Sequence, residues 1–121
     1  MSPLNILKKY LNAWKKKNYA EMYDLSQKTW KQQHKDRKGD DIFAFVGFKQ
    51  LTSYKIGEPA EIGQCMIEYP VEIYYTVEKE KRHKLLNIRI IQELSPFTPS
   101  INGTWGINPT SGFKENDVSE K

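Results

Sequence analysis

The sequence predicts an α+β domain in which three N-terminal helices pack on one face of a four-stranded antiparallel sheet. Apolar residues recur at helical spacing through the first third of the chain, and they alternate with polar residues from position 64 to 94. Because the helices precede the strands instead of alternating with them, the two layers should be segregated. The 121 residues fit one domain, expected at residues 1–113, followed by a disordered polar tail at residues 114–121.

The first helix is predicted to begin at Ser2 and Pro3, because serine is a preferred N-cap and proline is favoured in the first helical turn. Lysines at positions 15–17 suit its end, where positive charge complements the helix dipole. Its apolar residues recur every three or four positions and are Leu4, Leu7, Leu11 and Trp14, with Ile6 and Tyr10 beside them. One face of this helix should therefore be buried.

The second helix should follow almost at once, because Asn18 has capping-box spacing to Glu21. Its inward stripe is Tyr19, Met22, Tyr23, Ser26 and Trp30. We expect it to end in the basic stretch 31–39. A short third helix is predicted next, with Asp40 or Asp41 as its N-cap and Gly47 at its end.

The stretch from 64 to 94 is predicted to form a long hairpin. One set of alternate positions is apolar or aromatic: Cys65, Ile67, Tyr69, Val71, Ile73, Tyr75 and Val77, then Leu86, Ile88, Ile90 and Leu94. To place both apolar sets on one face, odd-numbered residues of the first strand must pair with even-numbered residues of the second. We predict the register that pairs Tyr75 with Ile88, with a turn near residues 80–83. Pro70 lacks an N–H, so a bulge or an unpaired side is expected there.

Two shorter strands complete the predicted sheet. The first covers residues 51–58, with Tyr54 and Ile56 on one face. The last covers residues 104–107, with Trp105 and Ile107 facing inward. Cys65 is the only cysteine, so an internal disulfide is excluded, and we expect a buried thiol.

The formal charge of +4 does not by itself predict a nucleic-acid partner. Amphipathic helices normally expose lysine to solvent, and only three arginines are present to read bases. No apolar run approaches the roughly 18 residues of a transmembrane segment. No signal peptide is visible, which indicates a cytoplasmic protein if the chain is complete and an extracytoplasmic one if a leader or anchor has been removed.

Two stretches carry a family resemblance: residues 10–23 (YLNAWKKKNYAEMY) and residues 103–109 (GTWGINP). The first resembles the turn from helix one into helix two around a tryptophan in the NTF2-like (cystatin-like) superfamily, and the second resembles its final strand. More narrowly, the chain is similar to small bacterial and archaeal domains of the lipoprotein and extracytoplasmic-module type. The resemblance spans about residues 3–110 and implies a cone-shaped fold, in which the curved four-stranded antiparallel sheet wraps around the helices with a pocket between. The family includes isomerases, dehydratases, transport factors and binding domains, so it does not select a function.

Enzymes of this family resemble one another in placing a carboxylate, or a histidine paired with one, on the pocket side of the sheet. By strand parity Glu68, Glu72 and Glu93 lie on the opposite face, so we predict no catalytic residue. His34 and His83 have no second ligand at metal-binding spacing, so no metal or cofactor is predicted.

Several aromatic residues lie on the apolar faces of the predicted helices and strands, which are expected to meet in the interior of the domain. With one amide, they are predicted to line a half-polar pocket for a small uncharged ligand: Trp14, Tyr23, Trp30, Tyr69, Tyr75, Gln92 and Trp105. Taken singly, each aromatic residue suits a packed core better than a pocket. The predicted function is a non-catalytic binding or assembly module. The alternative is a small-molecule isomerase, dehydratase or hydrolase of the same fold.

The opposite face of the hairpin is predicted to contact a protein, because a purely solvated face would not need so many apolar residues. Its candidate residues are Met66, Tyr74, Leu85, Arg89 and Ile91. In the predicted register, Glu72 pairs with Ile91 and Tyr74 with Arg89, and Glu68 and Glu93 lie at the rim. Dimerisation through the sheet is common among the proteins that this chain resembles, so we expect a homodimer or another partner on this face.

Overall fold

A computed structural model describes residues 2–109 and 113–115 of the chain and confirms the α+β class. The described residues form four helices: α1 (Pro3–Lys15), α2 (Tyr19–Asp24), α3 (Lys28–Gln33) and α4 (Gly39–Val46). The strands are β1 (Gln50–Ile56), β2 (Ala60–Gly63), β3 (Met66–Val77), β4 (Glu80–Ser95), β5 (Thr98–Pro99), β6 (Thr104–Ile107) and β7 (Phe113–Glu115).

All strands belong to one antiparallel sheet, which has more strands than the four predicted. The long strands β3 and β4 form its centre. Strands β1 and β2 both pair with β3, whereas β5, β6 and β7 all pair with β4. The additional strands are short and lie in stretches whose composition indicated loops, which explains why alternation alone did not reveal them.

Helix α1 forms as predicted. The Ser2 side chain accepts a hydrogen bond from the Asn5 amide (3.2 Å), and proline occupies the first turn. Its apolar stripe is buried and consists of Ile6, Leu7, Tyr10, Leu11, Ala13 and Trp14. Asn18 then caps α2 by accepting a hydrogen bond from the Glu21 amide (3.1 Å).

The predicted second helix is divided into α2 and α3. Between them, the Leu25 carbonyl accepts a hydrogen bond from the Ile107 amide (3.1 Å), and the Gln27 amide donates to the Ile107 carbonyl (2.8 Å). Residues 25–27 therefore run beside β6 as an extended segment, with a parallel bridge between Ser26 and Ile107. Backbone groups bonded to a strand cannot also continue the helical ladder, so the helix breaks there.

The predicted cap of the next helix was wrong. Helix α4 has Lys38 at its N-cap, without a side-chain capping bond, and Asp40 and Asp41 lie in its first turn. Acidic side chains remain favourable at that position because of the helix dipole.

The β3–β4 pairing has the predicted parity but not the predicted register. Tyr75 pairs with Arg82 instead of Ile88, and Ile67 pairs with Ile90. The hairpin closes through the two residues Glu78 and Lys79, whose φ angles are 52° and 71°. Positive φ at both positions indicates a type I′ turn, which matches the twist of the flanking strands. Leu94, expected on the apolar face, is 56% exposed.

The pairing of β3 with β4 is regular across Pro70, so no bulge interrupts it. Pro70 lies on the other edge of β3 where the partner changes from β1 to β2, and its carbonyl accepts a hydrogen bond from the Gly57 amide (2.7 Å). Pro70 therefore lies at the gap between β1 and β2, where no neighbouring strand needs an N–H donor from it.

The core lies between α1 and the inner face of the sheet. The strands contribute the buried residues Leu51, Tyr69, Val71, Ile73, Tyr75, Leu86, Ile88, Ile90 and Ile107. Helices α2, α3 and α4 add Met22, Trp30, Ile42 and Val46. Burying a side chain of this size stabilises the fold by about 1.5–3 kcal/mol.

Three sequence predictions concern the ends and edges of the domain. Cys65 is half-buried and lies in the turn before β3. The tail was predicted from residue 114, whereas β7 includes Lys114 and Glu115 and pairs with β4; residues 116–121 lie outside the described residues. Within the described part of the chain, no helix has the length and hydrophobicity that crossing a bilayer requires.

Replacing Lys79 by glycine should stabilise the protein. Left-handed backbone is costly for a residue with a Cβ atom and not for glycine, so we expect the free energy of unfolding in urea to rise by about 0.5–1 kcal/mol. Lys81→Gly is the control, because Lys81 pairs with Thr76 within the ladder. That substitution should lower the free energy of unfolding. If both variants changed the free energy of unfolding in the same direction, the result would contradict the positive φ angle of Lys79 in the turn.

Trp14→Ala should lower the free energy of unfolding by about 3–5 kcal/mol, since the ring is 1% exposed. Its Nε1 also donates a hydrogen bond to the Lys49 carbonyl (2.9 Å). Trp105 is only partly buried, so Trp105→Ala should have a smaller effect. Urea denaturation measures both, and an unchanged midpoint for Trp14→Ala would contradict its place in the core.

Candidate functional site

The seven residues predicted to line a pocket lie in two settings. Trp14, Trp30, Tyr69 and Tyr75 are buried in the core, whereas Tyr23, Gln92 and Trp105 are half-buried. Of these residues, Tyr75 lines a surface cleft near the hairpin turn and Trp105 lines another beside α3.

The polar groups of Tyr23 and Gln92 donate hydrogen bonds to backbone carbonyls. The Tyr23 hydroxyl donates to the Lys31 carbonyl (3.1 Å), and burial raises the pKa of Tyr23, helped by the nearby Asp24 carboxylate. Gln92 Nε2 donates to the carbonyls of Ile101 (3.2 Å) and Gly103 (3.0 Å). These bonds hold loops in place. The groups that were predicted to contact a ligand therefore have a structural role.

The strongest polar cluster in the interior is centred on Glu93, which is 3% exposed. Its Oε1 accepts a hydrogen bond from the Thr29 amide (3.0 Å), and its Oε2 accepts bonds from the Thr29 hydroxyl (2.5 Å) and from Gln27 Nε2 (3.0 Å). Thr29 Oγ1 also accepts from the Phe97 amide (2.8 Å), and Gln27 Oε1 accepts from Asn108 Nδ2 (2.9 Å). We call these residues the Glu93 network.

This network has the properties of a structural site. Protein donors occupy both oxygens of Glu93, whereas a general base must face the proton that it abstracts. Thr29 lies in the first turn of α3, and the N-cap residue Gln27 makes no capping bond of its own. The Glu93 carboxylate satisfies an amide that would otherwise lack a helical partner.

The prediction that Glu93 lies at a solvated rim was wrong. Glu93 does occupy the same set of alternate positions along β4 as Arg89 and Ile91, as predicted. Residues 27–29 nevertheless cover this end of the strand and bury the Glu93 side chain. Alternation along a strand carries no information about a segment more than 60 positions away, so nothing in the sequence pointed to Gln27, Thr29 or Asn108.

A second arrangement that was not foreseen joins α3 to α4. His34 Nδ1 lies 2.8 Å from Asp41 Oδ2, and Arg37 forms an ion pair with the same carboxylate (3.3 Å). The His34 ring stacks on Trp30 with 3.9 Å between centroids, and Phe45 contacts it edge-on. Arg37 and two aromatic rings surround the pair, which links the end of α3 to α4.

The outer face of the sheet carries the predicted contact residues in different pairings. Met66 lies opposite Ile91, Glu68 opposite Arg89, Pro70 opposite Asn87, Glu72 opposite Leu85 and Tyr74 opposite His83. The predicted pairs Glu72–Ile91 and Tyr74–Arg89 were therefore wrong, because the turn lies earlier than expected. All five candidate residues, Met66, Tyr74, Leu85, Arg89 and Ile91, nevertheless share this face and are half-buried.

Charged side chains on the outer face are paired with one another. Arg89 binds Glu68 Oε2 through Nε (3.3 Å) and a terminal nitrogen (3.1 Å). His83 Nε2 lies 3.7 Å from Glu72, and its ring stacks on Tyr74. Beside them, a shallow groove of about 290 Å³ includes Pro70 and Leu85.

In the described part of the chain, no group of three or more histidine, cysteine, aspartate or glutamate side chains is placed to hold a metal ion. Comparison with known proteins finds no matching family model and no matching curated protein.

Glu93→Gln should lower the free energy of unfolding by about 2–3 kcal/mol. The amide nitrogen of glutamine would face donors from Gln27 or Thr29, leaving buried donors without an acceptor. Glu68→Gln is the matched control, and it should cost less than about 1 kcal/mol because its ion pair is partly exposed. Chemical denaturation of both variants measures the difference, and equal losses would contradict the role assigned to the Glu93 network.

Proposed function

We propose that the chain is a non-catalytic binding module of the NTF2-like type, and that the outer face of β3 and β4 binds a second copy of the chain. The observation that carries this proposal is the composition of that face. Its apolar residues lie beside Glu68 and Arg89, whose charges are already paired within the chain. Removing water from such a face costs less free energy than removing it from a face with unpaired charges.

The apolar part of the face suits a protein contact. Met66 and Ile91 are directly opposite at one end, while Pro70, Leu85 and Tyr74 follow along the strands. Aromatic residues, methionine and arginine are enriched at protein interfaces relative to the remaining surface. The face contains all three types.

A second copy is the partner that the charge pattern favours. In a two-fold interface the same patch occurs on both subunits. Glu68 and Arg89 place both signs of charge on this face, so a rotated copy can present Arg89 to Glu68 and Glu68 to Arg89. A partner with one predominant sign of charge would lack this complementarity.

The proposal that a small uncharged ligand enters between the helices and the sheet has less support. Four of the seven residues concerned are packed in the core, and the indole of Trp14 and the hydroxyl of Tyr23 are bonded to the backbone. The outer face is therefore the better candidate for binding.

The alternative of a small-molecule isomerase, dehydratase or hydrolase is favoured by one observation, the bond between His34 and Asp41. A carboxylate that orients an imidazole is a common catalytic arrangement. In this chain Arg37 shares the carboxylate and Trp30 covers one face of the ring, so we favour a structural role for the pair.

Sedimentation velocity of the wild type over a range of concentrations tests the dimer. Leu85→Lys should raise the dissociation constant of the dimer at least tenfold, because it replaces an apolar side chain of this face by an ammonium group that must lose water when the two copies meet. Ile91→Glu should act in the same direction from the other end of the face. The unfolding midpoint of each variant establishes that it is folded.

Ile101→Glu provides the control for Ile91→Glu, because Ile101 is 66% exposed in the loop before β6. This change should leave sedimentation unaltered. A wild type that is monomeric at concentrations near 1 mM would refute self-association through this face, since weaker dimers fall outside specific recognition.

A further inference from the structure

A cleft beside α3 combines positive charge with an apolar wall. It measures about 180 Å³ and lies between α1, the segment joining α2 to α3, and β6. Ile6 and Trp105 form its apolar side, and Lys28 and Lys31 form its cationic side. Asp24 supplies a carboxylate at the lining, so the charged side chains sum to one positive charge.

Lys31 is the most constrained of these charges. It is half-buried, and its Nζ donates a hydrogen bond to the backbone carbonyl of Asp24 (3.2 Å). Burial lowers the pKa of Lys31, and the neighbouring Lys28 ammonium lowers it further, whereas the Asp24 carboxylate opposes both. The ion pairs formed among the described residues include neither lysine. An anion in the cleft would therefore relieve a repulsion that the folded chain leaves in place.

The floor of the cleft is fixed before any ligand arrives. Gln27 lines the cleft, and its side chain is held at both ends by Glu93 and Asn108. Gly106 lies so close that a Cβ atom there would be 2.5 Å from the Gln27 Cα atom. A site that needs no rearrangement loses less free energy when it orders a ligand.

We propose that this cleft binds a small monocarboxylate that carries an apolar substituent. The carboxylate would lie between Lys28 and Lys31, and the substituent would lie against Ile6 and Trp105. A single negative charge matches the net charge of the lining. A cavity of about 150 Å³ is enough for benzene, so the cleft has room for one aromatic ring or a short aliphatic chain. This site is separate from the outer face and does not depend on the proposed dimer.

The apolar wall also separates this ligand class from inorganic phosphate. Phosphate at neutral pH carries more negative charge than the lining balances, and it has no apolar surface to place against Trp105. Asp24 would also repel its larger negative charge more strongly than it repels a monocarboxylate. A carboxylate with a hydrophobic group uses both sides of the cleft.

Benzoate is the probe, titrated into the full chain and followed by ¹H–¹⁵N NMR. We expect saturable shifts of the Trp105 indole and of the Lys28 and Lys31 amides. Benzamide has nearly the same shape without the charge and should bind at least tenfold more weakly, as should phosphate. This comparison needs no variant, so it is independent of folding.

Variants test the role of the lysines. Lys28→Met and Lys31→Met keep most of the apolar stem and remove the charge, and each should weaken benzoate binding about tenfold. Lys35→Met is the matched control, because Lys35 is exposed in the loop after α3, and it should leave the affinity unchanged. The dimer variant Leu85→Lys should bind benzoate like the wild type.

Several results would overturn the proposal. They are the absence of shifts at these residues, equal affinity for benzoate and benzamide, tighter binding of phosphate, and equal losses in Lys35→Met and Lys31→Met. The last result would indicate attraction to the overall positive charge and not recognition in the cleft.

Discussion

The arrangement of one end of the domain depends on the Glu93 carboxylate. Burying a carboxylate is costly unless hydrogen bonds replace those to water. Three donors from Gln27 and Thr29 meet this need, and these residues must therefore lie over the end of β4. The Thr29 hydroxyl extends the constraint to the β4–β5 turn by accepting the Phe97 amide. One side chain thus fixes the start of α3, a strand end and a turn relative to one another.

This constraint also explains the positions of the lysines in the cleft. Lys28 directly precedes Thr29, and Lys31 follows two residues later on α3, so the same hydrogen bonds that hold the helix start place the backbone of both lysines beside the cleft. Residues 25–27 are fixed independently by backbone bonds to Ile107. With its floor and its cationic side both anchored, the cleft is a rigid part of the fold, even though it lies at the surface.

Local patterns were sufficient for the parts of the fold that depend on local structure. The stripe of α1, the cap at Asn18 and the parity of β3 and β4 all follow from spacing along the chain. The hairpin register did not, because its turn uses Glu78 and Lys79 at positive φ, where glycine or asparagine would have marked it. The break between α2 and α3 and the burial of Glu93 both depend on contacts between distant segments. Periodicity has no means of detecting such contacts.

The two candidate binding surfaces differ in how their charges are partnered. On the outer face, Arg89 binds Glu68, so these two charges are balanced before any partner arrives and both signs are available to a rotated copy. In the cleft, Lys28 and Lys31 repel each other, and a half-buried ammonium is bonded to a neutral carbonyl. Paired charges tolerate a large contact from which water is excluded, whereas unpaired ones attract a counter-charge. The two proposals therefore concern different parts of the fold: a protein-sized surface on the outer face of the sheet, and a small cleft beside α3 for an anion.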